Sequence, residues 1–118
     1  MYILIAEDDF IISLILEKMV SEMGHEVAPI CRSGEEAIRE IFDKRPDCIL
    51  MDYFLEDDTN GRDIMLKVRE QLQTPVIFIT GQPLHIIRFK TKEIKHSTCM
   101  SKPFFYHDLK KAIENVTR

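Results

Sequence analysis

The sequence predicts an α/β fold in which a parallel five-stranded sheet lies between two layers of helices. Short apolar runs alternate five times with stretches whose apolar residues recur at helical spacing, and only a few residues connect them. The run at residues 47–51 is continuously apolar after its first residue, as expected for a strand covered on both faces. Right-handed crossovers then build a three-layer sandwich, and the length suits one domain spanning residues 1–118.

The first half of the chain supplies three strands and two helices. Its strands are predicted at residues 2–6, 26–30 and 47–51. Pro29 cannot donate a ladder hydrogen bond, so the second strand belongs at an edge of the sheet. The first helix stops at Gly24, which suits the position after a helix C-cap. The second helix begins at a capping box formed by Ser33 and Glu36 and should end near Lys44.

The second half completes the alternation. A polar, turn-rich loop at residues 53–61 leads into a third helix that reaches Leu72. The remaining strands are predicted at residues 76–79 and 98–100, and the remaining helices at residues 84–95 and 105–116. Each strand is therefore followed by a helix, which favours parallel strands.

Four polar residues, Asp8, Asp52, Thr80 and Lys102, each follow or close one of these apolar runs. The carboxyl ends of parallel strands meet at one edge, where ligands bind at the point at which strand order reverses. In the flavodoxin-like order 2-1-3-4-5, that point lies between the strands that Asp8 and Asp52 follow. We therefore expect the four side chains to gather at one edge of the sheet.

Composition excludes several classes of protein. The three cysteines, Cys31, Cys48 and Cys99, are odd in number and widely spaced, which favours buried free thiols in a reducing cytoplasm. No apolar stretch approaches 18 residues and no basic segment precedes the first one, so neither a membrane span nor secretion is indicated. We expect a cytoplasmic protein with no membrane partner.

The charges are unevenly distributed along the chain. Residues 1–84 carry 8 Lys/Arg and 17 Asp/Glu, whereas residues 85–118 carry 8 Lys/Arg and 3 Asp/Glu. A nucleic-acid patch would need interleaved aromatic residues and a stronger basic balance, so we expect no direct contact with nucleic acid. The basic region is interpreted as a solvated helix face, with a partner-binding face as the alternative.

The predicted edge would crowd three carboxylates, Glu7, Asp8 and Asp52, together. They would repel one another without a cation, and an all-oxygen site suits Mg²⁺, with Mn²⁺ as an alternative. Lys102 can reach the same place, and a metal with an ammonium group neutralises an incoming phosphoryl group. Asp52 would then be the nucleophile, and the Thr80 hydroxyl could donate to a phosphoryl oxygen.

Each of these residues also has an ordinary structural interpretation. Glu7, Asp8 and Asp9 could be a helix N-cap cluster, and Asp52 could cap a loop. The joint pattern favours the functional interpretation, because each residue terminates a different strand of one alternating fold.

The whole chain resembles the receiver domains of two-component response regulators, including the single-domain chemotaxis regulators. The resemblance rests on four segments, at residues 3–9, 49–52, 76–81 and 101–104. It implies that Asp52 is the phosphoacceptor and a metal ligand, that Asp8 binds Mg²⁺ directly and Glu7 through water, and that Phe54 lends its backbone carbonyl.

The resemblance also implies a switch. Thr80 matches the switch hydroxyl and Lys102 the phosphoryl-binding lysine, and the bond from Lys102 to Pro103 is expected to be cis. Cys99 stands where the family often has Tyr or Phe, so the usual inward swing of a large ring cannot occur here. The loop after Asp52 has one residue more before Gly61 than the commonest pattern and carries Glu56 where proline is common, so its path should differ.

The resemblance implies a phosphorelay signalling protein rather than an enzyme with a separate substrate. A sensor histidine kinase or histidine phosphotransfer protein would phosphorylate Asp52, and the surface around helix four, strand five and helix five would change for a downstream protein. The first helix exposes Phe10 and Leu14, which suggest a docking patch for the phosphodonor, with local packing as the alternative.

Two other functions are weighed against this one. A phosphorylation-independent binding module is disfavoured by the complete acidic, threonine and lysine set. An aspartate-nucleophile phosphatase normally needs a carboxylate two residues past the nucleophile, where this chain has Phe54. No residues are left for an output domain, and Met1 directly before the first strand favours a natural start over a fragment.

Overall fold

The computed structural model describes all 118 residues and contains five strands and five helices in strict alternation. The strands are β1 (Tyr2–Ala6), β2 (Glu26–Val27), β3 (Cys48–Asp52), β4 (Val76–Thr80) and β5 (Ser97–Ser101). The helices are α1 (Phe10–Glu22), α2 (Gly34–Lys44), α3 (Gly61–Val68), α4 (Leu84–Lys90) and α5 (Tyr106–Val116). The predicted α/β class is confirmed.

All strand pairs are parallel, and the strand order is β2-β1-β3-β4-β5. This is the flavodoxin-like order that the sequence predicts. Asp52 at the end of β3 lies in register with Ile79, and Thr80 at the end of β4 lies in register with Ser101. The carboxyl ends of the inner strands therefore finish at one edge of the sheet.

The sheet separates two apolar layers, because alternate side chains of a strand point to opposite faces. One layer joins the sheet to α2, α3 and α4 through Ile41, Met65 and Ile87. The other joins it to α1 and α5 through Leu16 and Leu109. Strands β1, β3 and β4 are buried on both faces, so the polar residues that end them are held on a rigid base.

Helix α2 begins as its sequence predicts. The Glu36 amide donates to Ser33 Oγ at 3.1 Å, and the Glu36 carboxylate reaches back to accept from the Arg32 amide at 2.9 Å. Cys31 and Cys48 are buried free thiols, and burial raises the pKa of each to about 12, whereas Cys99 is only half-buried. None of the helices has the length and apolar character needed to cross a membrane.

Several element boundaries differ from the prediction. Strand β2 is shorter, because Pro29 interrupts it and only a bridge at Cys31 continues the pairing with β1. Strand β5 is one residue longer at each end than predicted. Helices α3 and α4 end before the predicted residues 72 and 95. Their C-caps are Arg69 and Thr91, and turns follow both caps.

Candidate functional site

The edge where the strands end brings together the polar residues that the sequence singles out. Glu7 and Asp8 follow β1, Asp52 ends β3, Thr80 ends β4 and Lys102 follows β5. The register of the three neighbouring strands, rather than any local motif, sets their proximity.

Three carboxylates form the acidic part of this edge. One oxygen from each of Glu7, Asp8 and Asp52 lies within 4.8 Å of the others. Glu7 is only 1% exposed, and its Oε2 accepts a hydrogen bond from the Asp9 amide at 3.2 Å. Its Oε1 is buried without a hydrogen bond of directional geometry. A carboxylate oxygen held in this way needs a cation beside it.

Lys102 supplies one such cation. Its Nζ lies 3.0 Å from Glu7 Oε1 and 3.3 Å from Asp52 Oδ2. Burial alone would lower the pKa of Lys102, but the Glu7 and Asp52 carboxylates outweigh burial and raise that pKa above its ordinary value. The ammonium group therefore stays charged and lies directly between two carboxylates.

One ammonium group does not balance three carboxylates. Burial, and then the hydrogen bond and charge of Asp52, raise the pKa of Glu7. Burial, and then the neighbouring Glu7, raise the pKa of Asp8. Both carboxyls therefore resist ionisation, first because they are buried and then because carboxylates adjoin them.

The residues fit a divalent cation with oxygen ligands. Carboxylates and carbonyls are the ligands that Mg²⁺ and Mn²⁺ prefer, and the edge offers three carboxylates. The Phe54 carbonyl oxygen, two residues beyond Asp52, accepts no hydrogen bond in the protein, so it is free to serve as a fourth ligand. A divalent cation here would supply the positive charge that Lys102 alone does not.

Thr80 and Cys99, which the resemblance places in a switch, lie on the β4–β5 side of the edge. Thr80 is buried, and its Oγ1 accepts a hydrogen bond from the Gln82 amide at 2.9 Å, which leaves the hydroxyl proton free to be donated. Cys99 Sγ lies 3.6 Å from Thr91 Oγ1. Beside this pair is a groove of about 300 Å³, whose lining also includes Arg88 and Ile94. Cys99 thus places a small thiol beside open space.

The structural interpretation of the acidic segment also holds, but for only one of its three residues. Asp9 is the N-cap of α1, and its Oδ1 accepts from the Ile12 amide at 3.0 Å. Glu7 and Asp8 lie before the cap and turn their carboxylates toward Asp52. The peptide bond between Lys102 and Pro103 is cis, as the resemblance implied.

Two residues near the site were not singled out from the sequence. Arg32 Nη1 donates to the Asp8 carbonyl at 3.1 Å, and its guanidinium lies over the Phe10 ring. Asp57, in the loop after Asp52, accepts hydrogen bonds from the amino-terminal amides of α2. Both contacts join segments more than 20 residues apart, and neither leaves a spacing signal in the sequence.

Comparison with known sequences points to one family. Residues 3–114 match the model of the response regulator receiver domain. The chain is 38% identical over 104 residues to the phyllosphere-induced regulator PhyR of Methylorubrum extorquens, which covers 86% of this chain and 38% of PhyR. It is 28% identical to the transcriptional regulatory protein CpxR of Escherichia coli, which covers 98% of this chain and 49% of CpxR. The chain thus spans half or less of either relative.

Solved structures agree. A putative response regulator from Chloroflexus aurantiacus matches 98% of this chain and 96% of its own, with 26% identity and a TM-score of 0.89. The anti-anti-sigma factor PhyR from Bartonella quintana matches 98% of this chain and 46% of its own, with 32% identity and a TM-score of 0.80. Together with the family match over nearly the whole length, these similarities establish that the chain belongs to the response regulator receiver family.

Proposed function

We propose that this receiver domain accepts a phosphoryl group on Asp52 in a Mg²⁺-dependent reaction. The observation that carries the proposal is the position of the Asp52 carboxylate. It lies 3.3 Å from Lys102 Nζ and within 4.8 Å of oxygens of Glu7 and Asp8. A nucleophile with an ammonium group on one side and a cation-binding cluster on the other suits attack on a negatively charged phosphoryl group.

The donor is a phosphohistidine of a sensor histidine kinase or a phosphotransfer protein. An Asp52 oxygen attacks phosphorus, the new P–O bond forms as the P–N bond breaks, and the electron pair leaves with the imidazole nitrogen, which takes up a proton. Lys102 neutralises one phosphoryl oxygen and keeps its own proton, because its pKa is raised. Asp8, Asp52, the Phe54 carbonyl and, through water, Glu7 would hold Mg²⁺, which would supply the remaining charge neutralisation.

The phosphorylated state is read by a downstream protein at the surface formed by α4, β5 and α5. Thr80 turns its free hydroxyl proton to a phosphoryl oxygen, which draws the end of β4 toward the site. The next step differs from the commonest family pattern, because the Cys99 thiol cannot follow as a ring would. The open groove between α4 and β5 changes instead through Thr91, which contacts Cys99 and is buried.

Incubation with acetyl phosphate and Mg²⁺, followed by intact-protein mass spectrometry, tests the proposal. Wild type should gain one phosphoryl group, and the gain should disappear when Mg²⁺ is chelated. Asp52→Asn keeps the shape of the side chain but removes the nucleophilic charge, so this variant should gain nothing. An equal gain by Asp52→Asn would overturn the assignment of Asp52.

A second candidate function is a binding module that works without phosphorylation. It is consistent with the similarity to PhyR, since the PhyR of Bartonella quintana is an anti-anti-sigma factor. The same Asp52→Asn variant separates the two, because a phosphorylation-independent module would keep all of its partner binding when Asp52 cannot be modified. An aspartate-nucleophile phosphatase has less support, since Phe54 replaces the second carboxylate that such enzymes need.

The Phe54 side chain should slow hydrolysis of the phosphoryl group. Phe54 is 47% exposed and lies two residues beyond Asp52, so we expect its ring to shield phosphorus from attacking water. Phe54→Asn should shorten the lifetime of phosphorylated Asp52 by about tenfold, because a polar side chain admits and orients water. The lifetime is measured by loss of the phosphorylated mass after donor removal. Phe54→Leu is the control and should change it little; an unchanged lifetime for Phe54→Asn would contradict the prediction.

The first helix should dock the phosphodonor. It exposes a group of neighbouring apolar residues, which are Phe10, Ile11, Leu14 and Ile15. This surface continues into an apolar groove of about 350 Å³ lined by Ile12, Ile15, Lys102, Pro103 and Phe104. Since Lys102 lines both the groove and the site, a helix seated in the groove would bring its histidine near Asp52.

Leu14→Glu tests this docking surface. Leu14 is 46% exposed, so the charge is tolerated in the free protein but must be desolvated in the complex. Phosphotransfer from a phosphohistidine protein should slow by about tenfold or more, while phosphorylation by acetyl phosphate stays unchanged. Leu66→Glu, at a 38% exposed position on α3, is the control. Equal transfer rates for the two variants would rule out docking through α1.

A further inference from the structure

The loop between β3 and α3 carries the Phe54 carbonyl. Asp58 near its tip adopts a left-handed backbone conformation with φ of 61°. Side-chain hydrogen bonds attach this loop to the start of α2.

Asp57 makes the attachment. Its Oδ1 accepts from the Gly34 amide at 3.0 Å and from Thr59 Oγ1 at 2.6 Å, and its Oδ2 accepts from the Glu35 amide at 3.2 Å. The two amides are the first of α2, where the helix dipole favours a negative charge. These hydrogen bonds lower the pKa of Asp57 to about 2, so the carboxylate is ionised at neutral pH.

Thr59 in the loop packs closely against Gly34 at the start of α2. Thr59 Oγ1 and Cβ occupy the space into which a Cβ at position 34 would project, and that Cβ would collide with the hydroxyl. Gly34 is buried although it is the first residue of a helix. The loop and the start of α2 therefore fit together only because residue 34 has no side chain.

Two backbone hydrogen bonds connect the part of the loop that Asp57 holds to the peptide of Phe54. The Leu55 amide donates to the Thr59 carbonyl at 3.1 Å, and the Gly61 amide donates to the Tyr53 carbonyl at 2.7 Å. These two bonds flank Phe54 on both sides, and the buried Tyr53 ring packs against Phe78 in β4. Holding Thr59 in place thus fixes the peptide that contains the Phe54 carbonyl.

We propose that Asp57 is a positioning residue that pins the β3–α3 loop to the amino terminus of α2 and thereby holds the Phe54 carbonyl at the metal site. The inference rests on the proposed function, because it assumes that Phe54 is a metal ligand. Residues that orient a ligand from behind typically change metal affinity 10- to 100-fold when they are lost. Asp57 does not touch the metal or the phosphoryl group.

Titration with Mn²⁺, followed by electron paramagnetic resonance of the free ion, tests the proposal without any phosphorylation. Asp57→Ala should weaken Mn²⁺ binding by about tenfold. Asp57→Asn, which keeps one acceptor for an amide, should recover part of that loss. Asp58→Asn is the matched control, because it removes the same charge from the same loop and Asp58 makes no side-chain hydrogen bond. This variant should change Mn²⁺ affinity by less than about twofold.

Amide hydrogen exchange supplies a local readout at the amides that Asp57 contacts. The Gly34 and Glu35 amides should exchange faster in Asp57→Ala than in wild type, and Mg²⁺ should slow their exchange in wild type only. Equal Mn²⁺ affinities for Asp57→Ala and Asp58→Asn would overturn the inference while leaving the metal site intact. Failure of wild type to bind Mn²⁺ would instead overturn the metal site and, with it, the role of Asp57.

Discussion

Lys102→Met should slow phosphorylation by acetyl phosphate about 100-fold and at the same time tighten Mg²⁺ binding. The first effect follows because Lys102 Nζ, 3.3 Å from Asp52 Oδ2, is placed to neutralise the transferred group. The second follows because the same ammonium group, 3.0 Å from Glu7 Oε1, competes with a metal for the carboxylates. A residue that only stabilised the fold would not move the two quantities in opposite directions.

The two effects are measured separately. Mass spectrometry over time gives the phosphorylation rate, and calorimetric titration gives Mg²⁺ affinity. Lys110→Met, which removes the same charge from an exposed position of α5, is the control and should leave both unchanged. Weaker Mg²⁺ binding by Lys102→Met would contradict the competition that the geometry indicates.

Asp8→Asn should make the metal-free protein more stable and abolish its stabilisation by Mg²⁺. Burial and Glu7 raise the pKa of the Asp8 carboxyl, so its ionisation destabilises the folded state unless a cation is bound. We expect the variant to melt about 4 °C higher without metal. Mg²⁺ should raise the melting temperature of wild type and leave that of the variant unchanged.

The pH dependence has a definite sign. Because the folded-state pKa values of Glu7 and Asp8 are raised, their contribution to stability is complete below the unfolded values and is lost as pH rises through the folded ones. Metal-free wild type should therefore lose stability as pH rises from about 4 toward neutrality, while Mg²⁺ affinity increases over the same range.

Melting curves at several pH values, with and without Mg²⁺, check both statements. Asp9→Asn is the matched control, because it removes the adjacent charge while keeping an oxygen to accept from the Ile12 amide as the α1 cap. It should still respond to Mg²⁺. A metal-free Asp8→Asn protein that is less stable than wild type would contradict the charge repulsion inferred at this edge.

The fold and most of the site could be predicted because their signals are local. Continuous apolar runs mark β1, β3 and β4, and turn residues bound each run, so the strand ends were placed within one residue. Once the strands are parallel, the positions of Asp8, Asp52, Thr80 and Lys102 follow from where their strands stop. The crossover rule left only a few possible strand orders, and the flavodoxin-like order among them agreed with the resemblance to receiver domains.

Features that leave no signal in the apolar spacing could not be predicted. The apolar pattern after Leu84 suits a helix through residue 95, but α4 ends at Lys90. Buried Thr91 donates its hydroxyl to the Ile87 carbonyl at 2.8 Å, and the turn that follows places Ile94 in the core. A longer helix and a helix followed by a turn would both bury Ile94, so hydrophobic spacing does not distinguish the two. The contact of Asp57 with Gly34 is of the same kind, since a charged residue in a loop gives no sign of its partner.

The central claim is that the Asp52 carboxylate itself becomes the acyl phosphate. Borohydride reduces an aspartyl phosphate to homoserine, so treatment after exposure to acetyl phosphate and Mg²⁺, followed by digestion and fragment mass spectrometry, marks the modified residue. We predict homoserine at position 52 and at no other aspartate, and none when Mg²⁺ is chelated. Reduction at another position, or a phosphoryl group that resists borohydride on a histidine, serine or threonine, would contradict the account.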